Sequence, residues 1–177
     1  MTTNSIYEGC NKEQRELLDI AIKEDNLGNI NKAKELYLHI LEINDEVPYV
    51  HAMLGGLEFD NENYNVALIY FEKAILLKPN SPGAIELRGE CKEYLCRYKE
   101  AVQDYNLAIE LKPDFAKAYF RKGMIFHYEG NKCKKKEYYH IAYECIKKAK
   151  FYNKSEYINY YNYFKRKIKY LQKIGLY

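Results

Sequence analysis

No stretch of the chain approaches the ~18 consecutive apolar residues that cross a bilayer, so no membrane span is expected. The opening MTTNSIYEGCNKEQ lacks a basic start followed by an apolar core, so no secretory signal is expected either, and the cytoplasm is the expected compartment. Cys10, Cys91, Cys96, Cys133 and Cys145 include no CxxC pair and are odd in number, which suits reduced thiols better than a disulfide framework. There is no G-x-S-x-G, P-loop, H-E-x-x-H or glycine-rich phosphate cradle, so neither catalysis nor a cofactor is expected. His127, Cys133, His140 and Cys145 crowd together, but their spacing fits no zinc pattern and the two histidines fall on different expected helices. A surface histidine and a core cysteine account for them without a metal.

What the chain does have is 47% hydrophobic residues in 177, enough for one continuous core if repeating units stack on each other. Its net charge of +3 hides an imbalance. Residues 1–129 carry 15 Lys/Arg against 22 Asp/Glu, a balance of −7, whereas 130–177 carry 13 against 3, a balance of +10. Half of the twenty tyrosines also lie beyond residue 137.

Ala101, Tyr105 and Ala108 share one helical face, and Pro113 follows where that helix stops. Moving back 34 residues gives Ala67, Phe71, Ala74 and Pro79, and moving back again gives Ala33, Tyr37, Ile40 and Asp45. Moving forward gives Lys135, Tyr139, Ala142 and Lys147. Twelve residues before the alanine column stands a second small column, Ala21, Gly55, Gly89 and Gly123, where two helices must touch. This pattern resembles the tetratricopeptide repeat, whose 34-residue unit carries a small residue in its first helix, A-x3-F in its second, and a closing proline. The resemblance implies an all-α, right-handed α-solenoid of four helix-turn-helix repeats, at about 14–47, 48–81, 82–115 and 116–149. Residues 1–10 would be a frayed N-terminus, and 151–177 a C-terminal capping helix.

Helices are expected from a capping box at Asn11 and Gln14 to about residue 26, then over 31–43, 47–60, 64–77, 82–95 and 98–111. Gly28 ends the first, and Ser81 caps the fifth with Pro82 at its first position. Asp114 opens the fourth unit, with helices at 115–128 and 132–150 separated by Gly130. Lys135, where other units have alanine, either snorkels to water or marks a helix tilting away at its start. After Ser155, a capping residue, Tyr157, Tyr161, Phe164, Ile168, Leu171 and Ile174 form one apolar stripe; Lys165, Arg166, Lys167, Lys169 and Lys173 face outward.

In proteins of this family the first helix of each repeat lines a concave groove that binds an extended peptide or a partner helix. The resemblance places Leu18, Ile22, Tyr49, Ala52, Met53, Gly56 and Phe59 on its apolar floor. Glu86, Glu90 and Glu93 follow as a carboxylate stripe, then Lys117, Phe120, Arg121, Met124 and His127. Like charges at these steps destabilise a helix by a few tenths of a kcal/mol per pair, so a cation should offset them: Lys117 and Arg121, or a basic ligand. Lys117 and Arg121 also look like two positions of the clamp that holds the C-terminal Asp of a chaperone tail. The other clamp positions hold Ala52, Gly56 and Leu87. The reading is a non-enzymatic protein-interaction module with a protein or peptide partner. Nucleic acid or an acidic partner on the basic segment FKRKIKYLQK, and an adaptor assembling through its end caps, are the alternatives. Partner identity and oligomeric state are not encoded in these patterns.

Overall fold

The computed structural model describes residues 6–175. It is all-α, with nine helices and no strand among the described residues. The helices group into two compact units, one ending at Leu95 and the other starting at Cys96.

The first unit holds α1 (Lys12–Asn26), α2 (Ile30–Ile43), α3 (Pro48–Asp60), α4 (Tyr64–Leu77) and α5 (Pro82–Tyr94). The capping box forms as its spacing predicts: Asn11 Oδ1 accepts from the Gln14 backbone at 2.9 Å, and Gln14 Oε1 accepts from the Asn11 backbone at 3.1 Å. Gln14 is nonetheless buried, because its amide also donates to the Ile40 carbonyl at 2.9 Å and so satisfies the end of α2. Residues 6–10 are tied down rather than frayed. Cys10 is buried, the Gly9 carbonyl accepts from Asn44, and Tyr7 donates to Asp19. Residues 1–5 of the expected frayed segment lie outside the described residues. The two small columns are closed to solvent: Ala21, Ala33, Ala67 and Gly55 are buried with Tyr37 and Phe71.

The second unit holds α6 (Tyr98–Leu111), α7 (Ala116–Cys133), α8 (Lys136–Tyr152) and α9 (Lys154–Lys173). Here the structure departs from strict period. Gly28, Glu62 and Cys96 stand 34 residues apart and all take left-handed φ, at 78°, 62° and 59°, just past α1, α3 and α5. The next step would be Gly130, but α7 runs on for one more turn and the left-handed residue is Lys134, φ 56°. Gly130 is therefore inside the helix and not between helices. A Cβ there would sit 3.2 Å from the Tyr139 ring, so the missing side chain lets α8 close on α7. The extra turn also settles Lys135, which is the exposed, extended residue before α8 and occupies no core position. Tyr139 and Ala142 remain buried.

Two cap assignments also shift. Phe115, not Asp114, precedes α7, and Asn153, not Ser155, caps α9 by accepting from the Glu156 backbone. Tyr157, Phe164 and Leu171 of the predicted stripe are buried, Tyr161 and Ile168 are half-buried, and Ile174 is exposed because α9 ends at Lys173. No described helix is long and apolar enough to cross a membrane.

Candidate functional site: two anchor pockets

In the first unit, Pro48 at the first position of α3 leaves no unpaired N–H, and Gly55 presses α3 onto the Phe71 ring of α4. On α3, Tyr49, Ala52 and Met53 lie toward α5 and the C-terminal end of α4. With Pro48, Gly83, Ala84, Leu87 and the ends of Ala74 and Lys78, they enclose a cavity of about 210 Å3. This is below the roughly 300–1,000 Å3 of a drug-sized site and suits one side chain. Gly56, expected to open this space, does not line it; Gly83 does. A Cβ on Gly56 would still meet nothing within 4 Å.

Several predicted floor residues are placed elsewhere. Leu18 has 0% exposure and belongs to the core with Ala21, Tyr37 and Leu54, so it offers no contact surface. Ile22 packs against the same core. Phe59 is held edge-on by Tyr64 and Tyr94, with centroids 5.3 and 5.2 Å away. Glu86 and Glu90 are buried, leaving Glu93 as the half-buried member of the stripe. The apolar positions read from a helical wheel include both walls of a helix, and only packing tells the core wall from the open one.

In the second unit, Lys117, Phe120, Arg121, Met124 and His127 are half-buried on α7. Phe120 stacks on Tyr157 at 4.9 Å and meets Tyr160 edge-on at 4.6 Å, so α9 lies directly beside this face. Met124 and His127 join Asn159, Tyr160, Tyr163 and Phe164 around a second pocket of about 430 Å3. Asn159, Tyr160 and Tyr163 were not among the predicted site residues. Their signal was present: Tyr160 and Tyr163 flank the Tyr157–Phe164 stripe and widen it into an aromatic face.

The back of this pocket is a polar knot. The Lys167 ammonium lies 2.8 Å from His127 Nε2 and 2.7 Å from Asn131 Oδ1, and it sits over the Tyr139 ring. Asn131 Nδ2 also reaches Nε2, at 3.2 Å. Two donors fix Nε2 as the acceptor, which assigns the ring proton to Nδ1. Burial, then the Lys167 charge, pushes His127 down to about 4, and burial lowers Lys167. Lys167 was expected on the outward basic face; it turns inward instead. No group of three His, Cys, Asp or Glu among the described residues could hold a metal ion.

Comparison with known proteins agrees with this architecture. The family profile of the tetratricopeptide repeat matches residues 48–81 and 84–115. These two stretches therefore match tetratricopeptide repeats, and the fold of the chain is an all-α helical repeat. It is 28% identical over 142 residues to human "Protein O-mannosyl-transferase TMTC1", covering 77% of this chain but 16% of that one. The chain thus spans less than a fifth of that relative's length. Among solved structures it resembles MamA with a TM-score of 0.71 at 19% identity, covering 86% of this chain and 85% of the other. It also resembles the first tetratricopeptide domain of Spaghetti (RPAP3) bound to the HSP90 peptide SRMEEVD. There the TM-score is 0.63 at 20% identity, with 66% and 93% of the chains covered.

Proposed function

We propose that the chain is a non-enzymatic protein-interaction module whose first-helix faces bind an extended peptide or a partner helix through apolar anchors. The observation that carries this reading is the α3–α5 cavity, an apolar space of about 210 Å3 opened by small residues at Ala52, Gly83 and Ala84. Empty apolar space of one side chain's size is what a peptide anchor fills. In the second unit the pocket between α7 and α9 offers a larger aromatic anchor site. A basic ligand residue suits Glu93, the accessible member of its stripe, with the buried carboxylates of Glu86 and Glu90 on the same helix.

The RPAP3 domain holds a peptide ending in Asp. The residues here favour a different ligand. Ala52, Gly56 and Leu87 stand where the carboxylate clamp of some tetratricopeptide proteins needs a lysine and two asparagines, which removes most donors for a terminal carboxylate.

The test is a displayed peptide library screened against the intact chain and against Ala52→Trp, which fills the cavity from its rim. Enrichment of peptides with an apolar anchor and a neighbouring cation, lost on Ala52→Trp and reversed in charge preference by Glu93→Lys, supports the proposal. Tight binding of SRMEEVD, lost on Arg121→Ala, overturns it.

A further inference from the structure

The face where α8 and α9 meet, outside both anchor pockets, carries a constellation that the groove does not use. Tyr143 of α8 and Tyr161 of α9 stack at 5.8 Å with their hydroxyls 3.3 Å apart, and the Lys150 ammonium sits 4.2 Å above the Tyr161 ring. From this pair a cleft of about 620 Å3 opens along the seam, lined by His140, Tyr143, Lys165, Ile168, Lys169 and Gln172. Every polar group in that lining is able to donate a hydrogen bond, and none is a carboxylate. Neither Lys165 nor Lys169 is in an ion pair among the described residues. Glu144, the carboxylate beside the cleft on α8, is held by Lys147 at 3.1 Å. The Tyr161 phenol registers the local field: the Tyr143 hydroxyl lowers its pKa, burial opposes this, and Lys150, Lys165 and Lys147 lower it further.

One aromatic ring stands unusually open on the α8 side of this seam. Phe151 continues the stripe of His140, Glu144 and Lys147 on α8, three turns and about 16 Å along the helix from His140, and is 77% exposed. A surface selected only for acidic protein segments has no need of an exposed ring on the stripe that borders its cations. Cations that hold phosphates, with open rings on which unpaired bases stack, are the components of a single-strand binding surface. We infer that the seam between α8 and α9 binds the phosphate backbone of single-stranded nucleic acid, with Lys165 and Lys169 on phosphates and Phe151, further along the same strand, as a stacking platform. Lys165 and Lys169 are one helical turn apart, about 6 Å of rise, so they contact neighbouring positions along one strand and not the same phosphate. Lys167, committed to His127 and Asn131, takes no part.

The experiment is fluorescence anisotropy of labelled oligouridylate with the intact chain across a salt series. Binding at low salt is expected, with Lys165→Gln/Lys169→Gln weakening it at least tenfold and reducing the salt slope by about 0.7 per lysine. Phe151→Ala is expected to weaken it about fivefold or more. Lys99→Gln/Lys132→Gln, an equal change of net charge on exposed residues elsewhere in the unit, should leave the site intact, and Lys165→Arg/Lys169→Arg should retain binding. Ala52→Trp should not change it, which separates this site from the peptide groove. Absence of binding, an equal loss in both glutamine doubles, or displacement of the RNA by equimolar polyglutamate or anionic phosphatidylserine vesicles overturns the inference.

Discussion

The Lys167 ammonium on α9 and the His127 ring on α7, 40 residues apart in sequence, meet at 2.8 Å with the histidine as acceptor. The contact requires a neutral ring, and His127 is accordingly pushed down to about 4 from an ordinary value near 6.5. A histidine with a depressed folded pKa contributes stability above pH ~6.5 that is lost as pH falls toward 4, because the unfolded chain takes up the proton first. The shift corresponds to at most about 3 kcal/mol, and to less because the ring is partly solvated. Urea unfolding at pH 7 and at pH 4.5 should therefore show a drop that His127→Gln reduces. An identical drop in the variant would assign the acid sensitivity to other groups.

Adjacent glycines on α3 should respond oppositely to alanine. At Gly55 the added Cβ falls 2.9 Å from Phe71 Cε1, in a ring that is fully buried and has nowhere to go. Overpacking of this kind costs about 1–3 kcal/mol. At Gly56 the Cβ meets nothing within 4 Å, so Gly56→Ala should be neutral or stabilising by up to about 1 kcal/mol through helix propensity. Chemical denaturation of the two variants decides the matter, and destabilisation by both would mean that α3 packs differently from the structure.

The two glycines also show how far sequence carried. Period and small-residue columns located the helices because packing repeats in the same register, and Gly55 was assigned to contact for that reason. Gly56 was assigned to the pocket because it adjoins Ala52 on a helical wheel, yet the cavity closes over Gly83 of α5. Leu18 failed similarly: apolar periodicity marks a residue as inward, but 0% exposure comes from three-dimensional neighbours that no wheel contains. The extra turn of α7 was hidden because Gly130 reads as a breaker, whereas here it is the small residue under the Tyr139 ring.

Glu58 on α3 is buried and accepts from Lys34 of α2 at 2.5 Å and from Asn63 at 2.8 Å. These two bonds, Lys34 first, hold its carboxyl below the usual range. A carboxylate with a depressed folded pKa contributes stability above its unfolded value of about 4.3, and that stability is lost as pH falls through the folded value. Lys34→Met should cost about 1–2 kcal/mol at neutral pH and flatten the acid limb of the stability profile below pH ~4.3. Thermal melts followed by circular dichroism from pH 7 to 3 would show it. An unchanged acid limb in the variant would remove the pair from the account of acid stability.

The last expectation concerns α9, which does two things at once. Its inner stripe closes the second unit: Phe164 is buried against Ala142 and Ile146 of α8, and its ring meets His127 edge-on at 4.8 Å. Its flank supplies Tyr160 and Tyr163 to the pocket beside Met124. A repeat unit buries its apolar face only against neighbours, so the helix should be indispensable to the unit and not an appendage. Phe164→Ala removes a large ring from a closed site and should cost about 3–5 kcal/mol, lowering the melting temperature and exposing α8 to hydrophobic dye. Tyr163→Ala, on the open flank, should leave the melting temperature nearly unchanged while weakening any peptide anchored in the pocket. If Phe164→Ala melts like the parent chain, α9 is docked too loosely to close the unit, and the pocket it shares with α7 loses its wall.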